Sequence, residues 1–298
     1  MEIEWDKEVM DMPDGFNAAV QLLPQSVREA AAALPLELQS RAEELRLRAG
    51  NPVTLRLPEG ERPLPGGAVT PQLLSAVLES ATRASYHAAG QQLRRGYLSA
   101  PGGVRVGVCG TGASDGALRT LREISSLCIR IPHQISSAGK EVIPLIKYDS
   151  VLIVSPPGGG KTTFLRELVR TVSEGGTRVS LADERGELAA VCGGEPQFRV
   201  GRCTDVLTGV PKTEAAMLLL CAMGPEVVAM DEISAPEDAA AVETLLGCGV
   251  RVFATAHAAS RAELLRRPVY RQLMELGAFQ KLVCISGSAA RHYAVERL

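Results

Sequence analysis

The chain contains no C-x-x-C pair and no histidine cluster beside its cysteines, which stand at 109, 128, 192, 203, 221, 248 and 284. Neither a zinc site nor a disulfide framework is therefore suggested, and the odd cysteine count fits a reducing, cytoplasmic setting. Basic charge is not in excess: 32 Lys and Arg stand against 34 Asp and Glu, a formal charge of −2. A general nucleic-acid binder would need a basic surplus, so no nucleic-acid partner is expected. The longest apolar run, Ala215 to Met223, is about half of the ~20 residues that a membrane-spanning helix requires. At the N-terminus Glu2, Glu4, Asp6, Glu8 and Asp11 stand where an export signal would need basic residues and then an apolar stretch. Nothing in that head directs export, and no direct membrane span is expected; membrane contact would come through a partner. Internal repeats and low-complexity tracts are also missing.

What is present is an ordinary globular mix, 46% hydrophobic and 22% charged over 298 residues, long enough for two domains. Arginine outnumbers lysine 26 to 6. Arginine forks onto phosphate or carboxylate with two parallel bonds, although a GC-biased genome is the plainer account of the ratio.

The first half reads as small α+β pieces. Helical spacing runs from Gly15 to Leu34, and Leu45–Arg48 and Val53–Leu57 alternate about the Ala49-Gly50-Asn51-Pro52 turn as a hairpin. Pro58–Gly67 reads as a loop. Thr70-Pro71 is a cap followed by a first-turn proline, opening a helix to about Ala88. Strands around Val104–Val108 and Ser126–Ile131 complete what resembles a mixed sheet, and a boundary is expected near Ser136–Gly139, dividing the chain into domains 1–138 and 139–298.

Beyond that boundary, continuous apolar strands alternate with helices, the pattern of a buried, mostly parallel sheet. Strands are expected at Val151–Val154, Arg178–Leu181, Val227–Met230, Val250–Thr255 and Lys281–Ile285, with an edge strand over His292–Val295. Helices are expected at Thr162–Val172, Glu214–Met223, Pro236–Leu246 and Arg261–Leu276. The fold class is α/β.

Ser155-Pro156-Pro157-Gly158-Gly159-Gly160-Lys161-Thr162 fits the phosphate-binding loop G-x-x-x-x-G-K-[ST], with Ser155 in place of the first glycine. It leaves an apolar strand and opens a helix, so its amides would curl around an anion at the positive end of the helix dipole. Pro157, Gly158, Gly159, Gly160, Lys161, Thr162 and Thr163 are the expected nucleotide contacts. Lys161 would reach the β- and γ-phosphates and Thr162 would place its hydroxyl on Mg²⁺. Val227–Met230 ends in Asp231-Glu232, where Asp231 would hold Mg²⁺ and Glu232 would serve as base or water orienter.

Asp183-Glu184-Arg185-Gly186-Glu187 and Thr255-Ala256-His257 end two further strands, and ligands of open α/β sheets gather at those ends. His257 would sense the γ-phosphate. For Asp183, Glu184 and Glu187 a catalytic role and a solvated charged turn both remain open. No [NT]-K-x-D guanine motif is found, which leaves ATP as the expected nucleotide.

Five segments together resemble the stage III sporulation protein AA family, which looks like a sporulation branch of the secretion ATPases: the phosphate loop, Ala182–Glu187, Arg202–Leu207, Asp231-Glu232-Ile233 and Ala254–Ala258. In the first half Glu44–Arg48, Gly50–Val53, Arg105–Gly110 and Ile124–Ile131 match as well. The resemblance implies a RecA-like P-loop ATPase domain behind a smaller N-terminal α+β domain. It implies nucleotide in the cleft between them, a homo-oligomeric ring of six, and membrane-embedded sporulation channel or assembly proteins as partners. It also implies Arg105 and Arg130 as phosphate-reaching arginines, against the alternative that both are ordinary exposed strand residues. The chain has neither the long insert nor the zinc-binding cysteine tetrad of several secretion ATPases, which points away from a pilus-type motor. Two other functions remain: a nucleic-acid-stimulated translocase, for which Arg94-Arg95 and Arg266-Arg267 are the available basic pairs, and a scaffold that binds ATP without hydrolysing it.

Overall fold

A computed structural model of the chain describes residues 15–82, 90, 92–94, 96–114, 118–133, 138–287 and 291–298. The acidic N-terminal head, the last turns of the helix expected to reach Ala88, Arg95 and Ser136-Ser137 lie outside the described residues. The chain divides into two units, Met1–His133 and Gln134–Leu298.

The stretch expected over Gly15–Leu34 is two short helices, α1 (Gly15–Gln21) and α2 (Gln25–Ala32), and a third, α3 (Leu36–Arg41), follows it. The breaks fall at prolines: Pro24 and Pro35 have ψ of 153° and 140°, and each precedes the first residue of the next helix. Strands β1 (Glu44–Arg48), β2 (Pro52–Leu57) and β3 (Gly60–Ala68) come next, then α4 (Pro71–Thr82), β4 (Tyr97–Ser99), β5 (Arg105–Ser114) and β6 (Leu118–Arg130). Thr70 caps α4 as expected, its hydroxyl accepting from the Leu73 amide at 3.2 Å. The sheet order is β3-β2-β1-β6-β5-β4, and every strand pairing in it is antiparallel, which corrects the expected mixed sheet. The expected loop at Pro58–Gly67 is largely β3. That strand forms the sheet edge, the one position where Pro63 and Pro65 can lack an amide hydrogen without breaking a ladder.

One sheet face buries Leu45, Leu47, Leu55, Leu57, Val106 and Ile129. On the other, Arg48 forks onto Glu61 at 2.8 and 3.1 Å, and the Thr54 hydroxyl donates to the same carboxylate at 2.9 Å. These bonds, chiefly the arginine's, lower the Glu61 pKa from 4.5 to about 2. A carboxylate whose folded pKa is depressed adds stability that is complete above its unfolded pKa and is lost as pH falls through the folded value. Urea unfolding of Glu61→Gln should show a deficit against the unmodified chain near pH 6 that closes between about pH 4.5 and pH 2; a deficit constant across that window would detach it from this carboxylate.

The second unit contains α5 (Ile143–Ile146), β7 (Val151–Ser155), α6 (Lys161–Glu174), β8 (Val179–Asp183), β9 (Thr204–Thr208), α7 (Lys212–Met223), β10 (Val227–Met230), α8 (Pro236–Gly247), β11 (Arg251–His257), α9 (Arg261–Leu264), α10 (Pro268–Glu275), β12 (Lys281–Ser286) and β13 (His292–Arg297). The single helix expected over Arg261–Leu276 is two, because Pro268 cannot donate to the preceding turn and Arg267 is extended at ψ 127°. The seven-stranded sheet has the order β13-β12-β7-β11-β10-β8-β9 and is parallel except for the β12–β13 edge pair. Its strands are buried on both faces: β7, β8 and β10 have no exposed residue. Two apolar layers cover it, one including Leu219, Val242, Tyr270 and Leu273, the other Phe164, Leu165, Leu168 and Val169 of α6. Among the described residues no helix is long and apolar enough to cross a membrane.

Candidate functional site

The carboxyl ends of β7, β8, β10 and β11 lie side by side in the sheet order, and four expected groups come together there. The loop after β7 turns on Gly158 and Gly160, whose φ values of +73° and +92° favour glycine. Gly159 is fixed for a different reason: a side chain there would lie 2.5 Å from the Ser155 hydroxyl. Ser155 thus fits the first-glycine position by turning its hydroxyl onto the Pro156 carbonyl at 2.8 Å. Pro157 is exposed at the loop crest, and Thr162 and Thr163 are half-buried in the first turn of α6.

Lys161 is 6% exposed, and burial pushes its ammonium pKa down against the attraction of Asp231 and Glu232. Its ammonium rests 3.0 Å from Nδ1 of His257. Thr162 donates to Asp231 at 3.2 Å, and Thr255 on β11 donates to the other carboxylate oxygen while accepting from the Glu232 amide at 2.8 Å. Glu232 has φ +48°, a left-handed conformation that costs a non-glycine residue on the order of 1–3 kcal/mol. Its carboxylate is 3.3 Å from Arg185 and 3.7 Å from His257. The Tyr270 hydroxyl donates to the Ile233 carbonyl, bracing the turn that follows.

The acidic segment after β8 divides its labour. Asp183 is 2% exposed and accepts the amides of Glu187, Leu188 and Ala189 at 2.9–3.1 Å, so it shapes the loop from within while burial raises its pKa. Arg166 of α6 clamps the same loop, donating to the carbonyls of Glu187 and Leu188 at 2.7 Å each and lying over the Phe198 ring. Burial pushes its pKa down to about 10, so it stays charged at neutral pH. Glu184 accepts the Lys212 amide at 3.1 Å. Together with Lys212, the residues Asp183, Glu184, Glu187, Asp231 and Glu232 line a shallow recess. Sequence reading missed Thr255 as an anchor of Asp231, and it missed Arg166 altogether; an arginine set between Leu165 and Leu168 on the buried side of the helix was the available signal.

Arg105 and Arg130 belong to the first unit, where they are direct cross-strand neighbours on β5 and β6. Arg130 is 3.5 Å from Glu44, and the Arg105 guanidinium lies 3.7 Å from the centre of the Tyr97 ring.

The parallel sheet covered on both faces, with a glycine-rich turn leading from β7 into α6, defines a RecA-like α/β fold, preceded here by a sheet-containing N-terminal unit. Solved structures share this architecture. The pilus retraction motor PilT with bound ADP matches with TM-score 0.60 over 92% of this chain and 82% of that one, at 14% identity. The Legionella pneumophila ATPase DotB matches with TM-score 0.55 over 88% and 78%, at 16% identity; at such identities the likeness is one of fold. The chain itself belongs to the family described as sporulation stage III, protein AA, whose model matches residues 17–292. It is 33% identical over 280 residues to stage III sporulation protein AA of Bacillus subtilis (strain 168), covering 91% of each chain. A more distant relative is the Arabidopsis thaliana protein SEEDLING PLASTID DEVELOPMENT 1, 28% identical over 183 residues, 60% of this chain and 26% of that one.

Proposed function

We propose that this chain is an Mg²⁺-dependent ATPase of the secretion type that drives a membrane-associated transport or assembly complex during sporulation. It would act as a homo-hexamer on the cytoplasmic side, held to the membrane through embedded channel or assembly proteins. The observation that carries the reading is the 3.2 Å contact between Thr162 and Asp231, the two groups that would share Mg²⁺ beside the glycine-rich loop. A hydroxyl and one carboxylate suit Mg²⁺, which is usually held by one or two carboxylates together with substrate phosphates and water. Bound there, Mg²⁺ would neutralise charge on the phosphate oxygens.

The loop amides and Lys161 would hold the phosphates, the lysine exchanging His257 for phosphate oxygen. Glu232, whose carboxylate lies 3.3 Å from Arg185, would orient a water toward the γ-phosphorus and accept its proton. The new bond joins water oxygen to phosphorus, the bond to the bridging oxygen breaks, and ADP and inorganic phosphate leave. Asp183 and Arg166 would hold the Glu184–Glu187 loop beside the reacting groups, and Arg105 or Arg130 would stabilise charge. The fold shared with proteins named as ATPases and as a pilus retraction motor supports this reading.

The test is phosphate release from ATP with Mg²⁺ and with a chelator. Release should require the metal, and Asp231→Asn should raise the Mg²⁺ concentration needed by roughly 10-fold or more, the loss of one charge-assisted contact. Release indifferent to both metal and Asp231 would remove the assignment.

A further inference from the structure

Arg291, just ahead of β13, is absent from every motif above, yet it lies against the phosphate loop. A side chain added at Gly160 would meet Cζ and Nη1 of Arg291 at 2.6 Å and Nε at 2.9 Å, so the guanidinium occupies the space over the last loop glycine. Gly160 is also the N-cap of the 14-residue α6, where the helix dipole is positive, and the buried Lys161 ammonium is the next residue. Among the described residues Arg291 forms no ion pair, the carboxylate acting nearby being Glu141, whose charge reaches the adjacent Tyr293 phenol, and three sources of positive potential converge over the loop.

An anion entering there would be attracted by all three. The arginine is also held from behind. The Tyr293 phenol lies beside it, its pKa raised by burial and drawn back down by the Arg291 charge. The Tyr293 ring stacks on Phe164 with centroids 5.2 Å apart and planes 29° apart. Phe164 is fully buried on α6, the helix that the loop opens. The β13 edge and the phosphate loop are thus braced on one helix.

We propose that Arg291 is a phosphate ligand acting within its own chain, its planar fork taking oxygens of the α- and β-phosphates of the bound nucleotide. The position follows from its neighbour: the amides of the glycine-rich loop cradle the α- and β-phosphates, whereas the loop lysine reaches toward the γ-phosphate. The proposal rests on the nucleotide reading above and extends it to a residue outside the phosphate-loop and Asp-Glu motifs.

Titration calorimetry with Mg-ATP and Mg-ADP on the full chain tests it, comparing the unmodified protein with Arg291→Ala, Arg291→Lys and Lys161→Ala. Arg291→Ala should weaken ATP and ADP by the same factor, about 10- to 100-fold for a charge-assisted contact. Arg291→Lys should recover part of that loss by keeping the charge without the fork; a merely structural role would give both variants one deficit. Unchanged affinity in Arg291→Ala while Lys161→Ala binds neither nucleotide would overturn the assignment and leave the nucleotide site standing. A loss confined to ATP would overturn it by moving the contact to the γ-phosphate. Full affinity in Lys161→Ala would instead refute the nucleotide site, and this ligand with it.

Discussion

Glu232→Gln should lower ATP turnover by about 10²–10⁴-fold, the contribution of a positioned general base, while Mg-ATP still binds. The amide keeps the size and one acceptor oxygen of the carboxylate, so the approach of Arg185 at 3.3 Å can persist. What it cannot do is accept the proton of the attacking water. Phosphate release at saturating ATP, with affinity measured in parallel, separates the two effects. Equally negligible release in both proteins, with nucleotide bound, would favour the non-hydrolysing scaffold. Undiminished turnover would transfer the role to Glu187 or Glu184, which line the same recess.

Lys161→Ala should lose tight nucleotide binding, on the order of 10²-fold for a buried charged donor. Lys161 is 6% exposed and its ammonium sits 3.0 Å from Nδ1 of His257, a contact that phosphate oxygen would replace. Because burial lowers the lysine pKa, its folded value lies below its unfolded one. Between the two the free protein carries fewer protons than the unfolded chain, and its stability rises with pH across that interval. Nucleotide affinity should run the other way, falling with alkalinity from below the ordinary lysine range, and that step should be missing in Lys161→Arg. Unchanged affinity in the alanine variant would contradict the phosphate-loop assignment.

Much of the second unit was legible because a strand buried on both faces has little freedom in composition. Val227–Met230 and Val151–Ser155 are apolar runs followed at once by chemistry-bearing residues, and both are strands in the structure. β9 was not read as a strand, since Thr204–Thr208 is only half-buried and carries no continuous apolar signal. β3 was hidden by the prolines and glycines that an edge strand tolerates. Pro268 divides the expected last helix, because proline cannot donate the hydrogen bond that would carry the helix through it.

At the candidate site the contiguous motifs could be read, and the contacts that brace them could not. Thr255 and Arg166 act through hydrogen bonds to partners that only the sheet order brings near. Arg291 reaches Gly160 because β13 folds back on β12, itself beside β7. No local pattern marks an arginine that precedes a short edge strand.

The left-handed backbone of Glu232 bears on descent as well as on chemistry. Glycine would relax that residue, so a lineage kept only for heat tolerance, with no demand for turnover, would drift toward glycine at this position. Retention of a carboxylate there in a thermophilic cousin would signal that selection still acts on hydrolysis, and its exchange for glycine would mark a copy released from that duty.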